Sequence, residues 1–302
     1  MLKRIKRLLP LHPRALWHSL TTYRRFLGTI KPELLRGTED ERLAWHRSLT
    51  RSCEVARLQA PIGRRLVVLA PHPDDESIGA GGLLLAHEGR CEIHIVNLFA
   101  GKGGGQLSPG PACAQSCSQE ELIAARRKEL IAAGAMIGAA SIHYLDLPAG
   151  QASLTTESAD ALGRVVEQLR PDVVLLPWYL DNHGDHRATN ALFAWSCRDI
   201  DCIVLGYEIW TLCPPNSVLD ITDWLDKKLA LVALYQTQLN TVDYLNFVRG
   251  AAMTRGFLHS VRAKRTGAAE AFLAMPNRDY CDVVTSLYGD RGRPNPFALP
   301  LF

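Results

Sequence analysis

The chain alternates short apolar runs with helical stretches, and this alternation limits its fold more than any other feature. Arg65–Ala70 (RLVVLA) is a buried-strand pattern, and a helix is predicted from about Ser77 to Glu88. Strands that alternate with helices favour a mostly parallel sheet with helices on both faces, an α/β fold. Further strands are predicted at 91–98, 142–147, 172–176, 202–209 and 271–274, and further helices at 118–137, 159–169, 185–197 and 224–239.

The first 27 residues differ from the rest of the chain in charge. They carry seven Lys or Arg and no Asp or Glu, a net charge of +7, whereas the remainder sums to −4. Bulky apolar residues such as Trp17 and Phe26 lie among these charges, as in a helix on an anionic membrane surface. The alternative is a helical extension packed on its own domain. We predict a basic, amphipathic helical extension over residues 1–60 and a second domain over 61–302.

The composition of the chain predicts the cellular location of the protein and the kinds of partner that it binds. The eight cysteines are scattered without a CxxC pair, which is typical of reduced thiols and favours a cytoplasmic location. No run of 18 apolar residues predicts a spanning helix, so membrane contact is expected only as peripheral binding at the inner face through residues 1–27. The body has no basic stripe to match this segment, and no nucleic-acid partner is predicted.

Two clusters of ionisable residues follow two predicted strands. Pro71–Glu76 (PHPDDE) follows the first strand, and Asp181–Arg187 (DNHGDHR) comes soon after the strand that ends near Leu176. Ligands bind at the carboxyl ends of the strands in such sheets, so both clusters are expected to meet there. Burying this much charge without compensation costs several kcal/mol, on the order of the penalty for unpaired buried ions. A divalent cation is the natural compensation.

The residue types of the two clusters indicate which divalent cation they would bind. His72 and Asp75 can converge on one ion through a tight turn at Pro73, which leaves Asp74 to act as a base, and His186 supplies a third ligand. Three N/O ligands with one open position are typical of catalytic zinc. Because no thiolate takes part, Fe²⁺, Co²⁺ or Mn²⁺ can also occupy such a set.

Other motifs in the chain do not support another chemistry. Gly79–Leu84 lacks the third glycine of a dinucleotide fingerprint, and Gly101–Gly103 lacks the Ser or Thr of a phosphate loop. No GxSxG occurs, so a serine hydrolase of that type is unsupported. Four further histidines are interpreted as ordinary core or surface residues: His18, His87, His94 and His143.

The two clusters resemble the signature of the PIG-L/LmbE family of N-acetylglucosaminyl deacetylases, an (A)HPDDE segment and a later HxDH segment. Here they read His72–Glu76 and His183–His186, with Pro71 where the family often has alanine. Arg126–Glu129 and Tyr144–Pro148 match two further family segments. The resemblance covers about residues 64–245 and implies a Rossmann-like fold.

The resemblance also implies roles for individual residues. His72, Asp75 and His186 match the zinc ligands of the family, and Asp74 matches the general base that activates the attacking water. His183 matches the group that stabilises the oxyanion or protonates the leaving amine. Two more matches have binding or supporting roles: Asp185 would orient a histidine, and Arg126 would contact the sugar.

The function implied is hydrolysis of the N-acetyl group of an N-acetylglucosamine-type sugar. The basic N-terminal segment favours a lipid-linked substrate in a glycolipid or envelope-glycan pathway. The alternative within the family is an amidase that acts on a sugar-linked thiol or an aminoglycoside-type molecule. A carbohydrate-binding protein with an inactive site is disfavoured by Asp74, since binding alone needs no spare carboxylate beside the metal. Residues 101–118 and 245–267 are expected to form loops that shape the acceptor site.

Overall fold

The computed structural model describes residues 55–99, 118–259, 261 and 267–291. Within these residues, eight strands form one sheet, in the order β1-β7-β8-β6-β5-β2-β3-β4. Strand β8 is antiparallel to both of its neighbours, and the remaining pairs are parallel. The strands are β1 Ala56–Arg57, β2 Arg65–Ala70, β3 Glu92–Phe99, β4 Ser141–Leu147, β5 Val173–Pro177, β6 Ile203–Tyr207, β7 Ser217–Asp220 and β8 Ala269–Pro276.

Eight α-helices of the described residues pack against this sheet in two groups, which confirms the predicted α/β fold with a mostly parallel sheet. Helices α1, α2, α5, α6 and α7 contact one another, and α3, α4 and α8 form the second group. The helices are α1 Asp75–His87, α2 Gln119–Met136, α3 Thr156–Leu169, α4 Gly184–Cys197, α5 Leu225–Val232, α6 Gln236–Leu239, α7 Tyr244–Leu258 and α8 Asn277–Tyr288. Among them, none is long and apolar enough to cross a bilayer.

The order of the strands fixes where the two sequence clusters lie. Strands β2 and β5 are neighbours in parallel register, with Leu66 opposite Val173 and Val68 opposite Leu175. From β2 the chain continues outward through β3 and β4, whereas from β5 it continues to β6 on the other side. The carboxyl ends of β2 and β5 therefore form the switch point of the sheet, where α/β proteins bind ligands. The first cluster follows β2, and the second follows β5.

Helix α1 lies directly on the sheet and is buried along its whole length. Its glycines permit this close approach. A Cβ placed on Gly79 would lie 2.1 Å from Cδ2 of Tyr207 on β6, so the ring of Tyr207 fills the space of the absent side chain. This packing fixes the first turn of α1, and with it Asp75 and Glu76, against the strand ends.

Local signals predicted most helix and strand bounds within three residues. The predicted capping box of α2 is present: Ser118 Oγ accepts a hydrogen bond from the Glu121 backbone N–H, and the Glu121 carboxylate accepts one from the Ser118 N–H at 3.0 Å. The basic segment 1–27 and most of the loop 101–118 lie outside the described residues. The predicted domain boundary at residue 60 stays a prediction, although Ala56–Arg57 pairs with β7 in the sheet.

Two predicted segments were wrong. The single helix predicted at 224–239 is two helices, α5 and α6, separated at Ala233–Tyr235. The hydroxyl of Tyr235 donates a hydrogen bond to the buried carboxylate of Glu76, and this contact holds the break. The acceptor loop predicted at 245–267 is in large part helix α7. Strands β1 and β7 and helix α8 were not predicted.

We expect Gly79→Ala to destabilise the fold, because the new methyl group would overlap the Tyr207 ring. The free energy of unfolding, measured by urea denaturation, should fall by about 1–3 kcal/mol, the usual cost of overpacking a core. Gly250→Ala is the matched control. Gly250 is also helical, but a Cβ placed on it would meet no atom within 4 Å. That variant should gain about 0.5–1 kcal/mol from helix propensity. Equal effects of the two substitutions would contradict the packing argument.

Candidate active site

The first cluster turns sharply as it leaves β2. Asp74 has φ 125° and ψ −31°, a conformation that costs on the order of 1–3 kcal/mol for a residue with a side chain. It is the N-cap of α1, and its carbonyl oxygen accepts hydrogen bonds from the N–H groups of Ser77 and Ile78. The strained turn separates the side chains of Asp74 and Asp75, so that two adjacent carboxylates can face different partners.

The second cluster leads from β5 into helix α4. His183 is the N-cap of α4, where its Nδ1 accepts a hydrogen bond from the Asp185 N–H at 3.2 Å. Asp185 and His186 lie in the first turn of the helix, and His186 is fully buried. The helix N-terminus thus directs three side chains of the HGDH segment toward the strand ends.

The two clusters converge, as the sequence predicts. The ring centroids of His72 and His183 are 5.0 Å apart, those of His183 and His186 are 4.7 Å apart, and those of His72 and His186 are 5.6 Å apart. One nitrogen of each ring lies within 4.8 Å of a nitrogen of the other two. Asp75 joins them, because its Oδ2 is 3.3 Å from His72 Nδ1 and 3.3 Å from His186 Nε2.

A carboxylate holds the other ring nitrogen of two of these histidines. His72 Nε2 lies 2.9 Å from Asp185 Oδ2, and the orienting role of Asp185 stays a prediction. His186 Nδ1 lies 2.9 Å from Asp181 Oδ1. In both rings the nitrogen nearer Asp75 is the one left for a ligand bond, an arrangement that is usual for metal-binding histidines.

Asp181 has a role that the sequence interpretation missed. It is fully buried, and besides His186 it accepts hydrogen bonds from the N–H groups of His183, Trp210 and Thr211 at 3.1, 2.9 and 3.1 Å. Its position in the DNHGDHR cluster was the sequence signal for a role in the site. The loop after β6 that completes its shell is about 30 residues further along the chain, and no local pattern connects the two.

Asp74 lies beside the histidines as a buried carboxyl group. Burial raises its pKa well above the usual range, the negative charge of Asp75 raises it further, and the nearby Arg126 opposes both. Arg126 Nη2 is 3.9 Å from Asp74 Oδ1 and donates a hydrogen bond to the Pro73 carbonyl at 3.2 Å. The predicted substrate-binding arginine is therefore placed against the first cluster, and its contact with a sugar stays a prediction.

Opposite pKa shifts distinguish the histidines. Burial lowers the pKa of His186, but the carboxylates of Asp75 and Asp181 outweigh burial and raise it to about 10. Burial, together with the positive charges of His186 and His72, lowers the pKa of His183 to about 4. Burial would raise the pKa of Asp75, yet the nearby charges of His186 and His72 hold it far below its usual range. The site therefore favours positive charge between Asp75, His72 and His186.

His72, Asp75 and His186 are suited to bind a divalent metal ion. His186 Nε2 is buried without a hydrogen-bond partner among the described residues, and its nearest charged group is Asp75. An orphaned buried nitrogen is costly unless something occupies it. The donor set is imidazole and carboxylate without thiolate, which suits Zn²⁺ and also Fe²⁺, Co²⁺ or Mn²⁺.

The fold and part of the sequence match known proteins. Residues 67–196 match the family described as PIG-L: GlcNAc-PI de-N-acetylase. The solved structure of N,N'-diacetylchitobiose deacetylase from Pyrococcus horikoshii, bound to its inhibitor MPG, superposes with a TM-score of 0.61. It is 24% identical, and the match covers 81% of this chain and 95% of that one, so it supports the fold.

Two sequence relatives are similar over more than half of the chain. The diacetylchitobiose deacetylase of Thermococcus kodakarensis is 27% identical over an alignment of 195 residues, and the match covers 58% of this chain and 70% of the relative. The probable N-acetyl-alpha-D-glucosaminyl L-malate deacetylase 2 of Bacillus anthracis is also 27% identical over an alignment of 195 residues, and that match covers 59% of this chain and 83% of the relative. Both names describe deacetylases of N-acetylglucosamine compounds.

We expect Asp181→Ala to lower the affinity for zinc by about 10–100-fold, because the carboxylate that orients His186 is removed. Zinc competition with a chromogenic chelator would measure this. His186→Ala should lose the bound ion altogether. The control is Asp282→Ala, which removes an exposed carboxylate that pairs with Arg198 at 2.6 Å. If Asp181→Ala held zinc as tightly as the wild type, the support assigned to Asp181 would be wrong.

Proposed function

We propose that this protein is a metal-dependent hydrolase that removes the N-acetyl group from an N-acetylglucosamine-type sugar. The observation that carries the proposal is the convergence of His72, Asp75 and His186 at the switch point of the sheet, with the buried carboxyl of Asp74 beside them. The deacetylase names of the two sequence relatives support the same reaction.

His72, Asp75 and His186 would hold the metal. A zinc ion bound there would act as a Lewis acid on the amide carbonyl and make a nucleophile available at neutral pH. Asp185 and Asp181 fix the two imidazole rings by holding the nitrogen opposite the ligand nitrogen. The ligand geometry is thus set before an ion enters, which limits the cost of ordering the site.

Asp74 accepts the proton of the attacking water in this proposal. Its raised pKa makes its carboxylate a stronger base than an exposed aspartate, and the positive charge of Arg126 keeps the ionised form accessible. The strained backbone at Asp74 aims this carboxyl away from Asp75, so that base and ligand act separately.

His183 acts as a hydrogen-bond donor to the substrate. Its lowered pKa leaves it neutral at neutral pH, and its Nδ1 accepts the Asp185 N–H, so the ring proton is on Nε2. A neutral Nε2–H can stabilise the negative charge that develops on the amide oxygen. The proton that Asp74 takes from the attacking water is then the one passed to the leaving amine.

The proposed substrate rests on the names of the two relatives and on the basic N-terminal segment. Both relatives are named for N-acetylglucosamine compounds, which supports this sugar as the acetylated group. The basic segment 1–27 supports a lipid-linked substrate in a glycolipid or envelope-glycan pathway and peripheral contact with a membrane. The malate-linked sugar in the second relative's name favours the alternative, a small-molecule substrate such as a sugar-linked thiol or an aminoglycoside.

Release of free amine tests the proposal. Purified full-length protein would be incubated with N-acetylglucosamine, diacetylchitobiose and lipid-linked N-acetylglucosamine, as isolated, after chelation, and after addition of zinc. Activity that disappears with the chelator and returns with zinc supports the reaction. If zinc binds stoichiometrically and no N-acetylated sugar is hydrolysed, the proposed substrate is wrong. Preference for the lipid-linked sugar would support the pathway over the small-molecule alternative.

Asp74→Asn should keep the metal and lose activity by roughly 10²–10⁴-fold, the usual contribution of a general base. The amide has nearly the same shape as the carboxylate but cannot accept the proton. Metal content by mass spectrometry and amine release would be measured on the same preparation. Full activity in a metal-loaded Asp74→Asn protein would exclude Asp74 as the base.

His183→Gln separates two roles for this histidine, which also lies within metal-binding distance of His72 and His186. We expect the variant to keep zinc with wild-type affinity and to lose kcat with little change in KM, because the interaction lost is made mainly in the transition state. The acid limb of the pH–rate profile should also change. Loss of zinc from this variant would instead make His183 a ligand.

A further inference from the structure

Two aromatic side chains lie at the edge of the active site and have no role in the mechanism above. Trp210 follows β6, and Tyr244 is the first residue of α7. Their ring centroids are 6.0 Å apart in an edge-to-face arrangement. Trp210 is 49% exposed although it is the largest kind of apolar side chain, whereas Tyr244 is 7% exposed. An aromatic ring held half in solvent beside a polar site calls for an explanation.

The backbone of Trp210 is fixed to the active site. Its N–H donates to Asp181 Oδ2 at 2.9 Å, while the other oxygen of the same carboxylate holds His186. The next residue, Thr211, donates to Asp181 through its N–H and accepts from the Asn182 N–H at 3.0 Å. Trp178 Nε1 donates to the Thr211 carbonyl at 2.7 Å. Four hydrogen bonds thus set the loop, and only the indole ring of Trp210 extends outward.

Tyr244 supports the Trp210 ring from inside the protein. Burial raises the pKa of its hydroxyl, and the negative charges of Asp74 and Asp75 raise it further while Arg126 opposes them. The Trp210 ring packs edge-to-face on Tyr244, so the two rings form one wall, which ends in solvent at Trp210.

We propose that Trp210, supported by Tyr244, is a specificity-determining residue that packs against the carbon face of the substrate's pyranose ring. The inference rests on the proposed deacetylase function and adds to it a sugar-ring subsite. A pyranose has a face of C–H groups and an edge of hydroxyls, which suits an apolar ring with charged groups beside it. The backbone of Trp210 is bonded to Asp181, which also holds His186, so a sugar packed on this wall would lie beside the two clusters.

The test compares Trp210→Ala, Trp210→Leu and Trp210→Phe on the N-acetylated sugar that the wild type hydrolyses best. Phe257→Ala is the matched control, because Phe257 is an 80% exposed aromatic residue at the other end of the same helix as Tyr244. We expect the alanine and leucine variants to raise KM about tenfold with kcat within about twofold, and the phenylalanine variant to retain most of the affinity. The control should behave as the wild type.

Zinc content distinguishes recognition from a structural effect. The Trp210 variants should keep stoichiometric zinc, because the Asp181 contacts use the backbone of residue 210 and not its side chain. Unchanged KM in the alanine and leucine variants would overturn the proposal. So would a fall in kcat at constant KM, or a loss of zinc, since Trp210 would then act by supporting Asp181.

A binding measurement separates failure of this proposal from failure of the proposed function. If the wild type hydrolyses no N-acetylated sugar, N-acetylglucosamine and diacetylchitobiose are titrated into zinc-loaded protein, and tryptophan fluorescence is recorded. A change in emission in the wild type that is absent in Trp210→Phe supports the sugar subsite independently of turnover. Calorimetric binding with no contribution from Trp210, or no binding of either sugar, overturns it.

Discussion

The burial of five carboxyl groups at two neighbouring strand ends is the constraint on which the rest of the structure depends. Asp74, Asp75, Glu76, Asp181 and Asp185 are all at most 7% exposed. Each has donors around it, since an uncompensated buried charge would exceed the net stability of most domains. Asp181 accepts four hydrogen bonds, and Glu76 accepts from Ser77 and Tyr235. The main partners of Asp75 are histidines, so a cation bound beside Asp75 would add most to the compensation of the buried negative charge.

The helices also help to compensate the negative charge of the buried carboxyl groups. Helices α1 and α4 both begin at the carboxyl end of the sheet, and their first turns hold Asp75, Glu76 and Asp185. Helix N-termini stabilise negative charge through unpaired N–H groups and the helix dipole. The close packing of α1 on Tyr207 through Gly79 keeps this helix end near the strands. Charge compensation and core packing are therefore parts of one arrangement, and a change in either is expected to disturb the other.

The sequence was informative where the signals are local. Apolar runs located β2 and β5, the capping box located α2, and the rule for strand ends predicted that His72 and His186 would meet. The missed features depend on distant contacts. The break between α5 and α6 is held by Tyr235 on Glu76, and α7 carries Gly256, on which the backbone at Gly267 lies too close for any side chain. Glycine lowers helix propensity, and tertiary packing outweighs this cost in α7.

Asp181 shows why the chemistry and the substrate recognition of this site are difficult to separate. One of its oxygens orients the imidazole of His186, and the other fixes the loop that carries Trp210. A carboxylate shared in this way couples the position of His186, the proposed metal ligand, to the position of the ring against which a sugar would pack. A substitution at residue 210 would keep both N–H donors to this carboxylate, because they belong to the backbone. In the proposed deacetylase, a change of side chain at residue 210 would therefore alter substrate preference while Asp181 still orients His186.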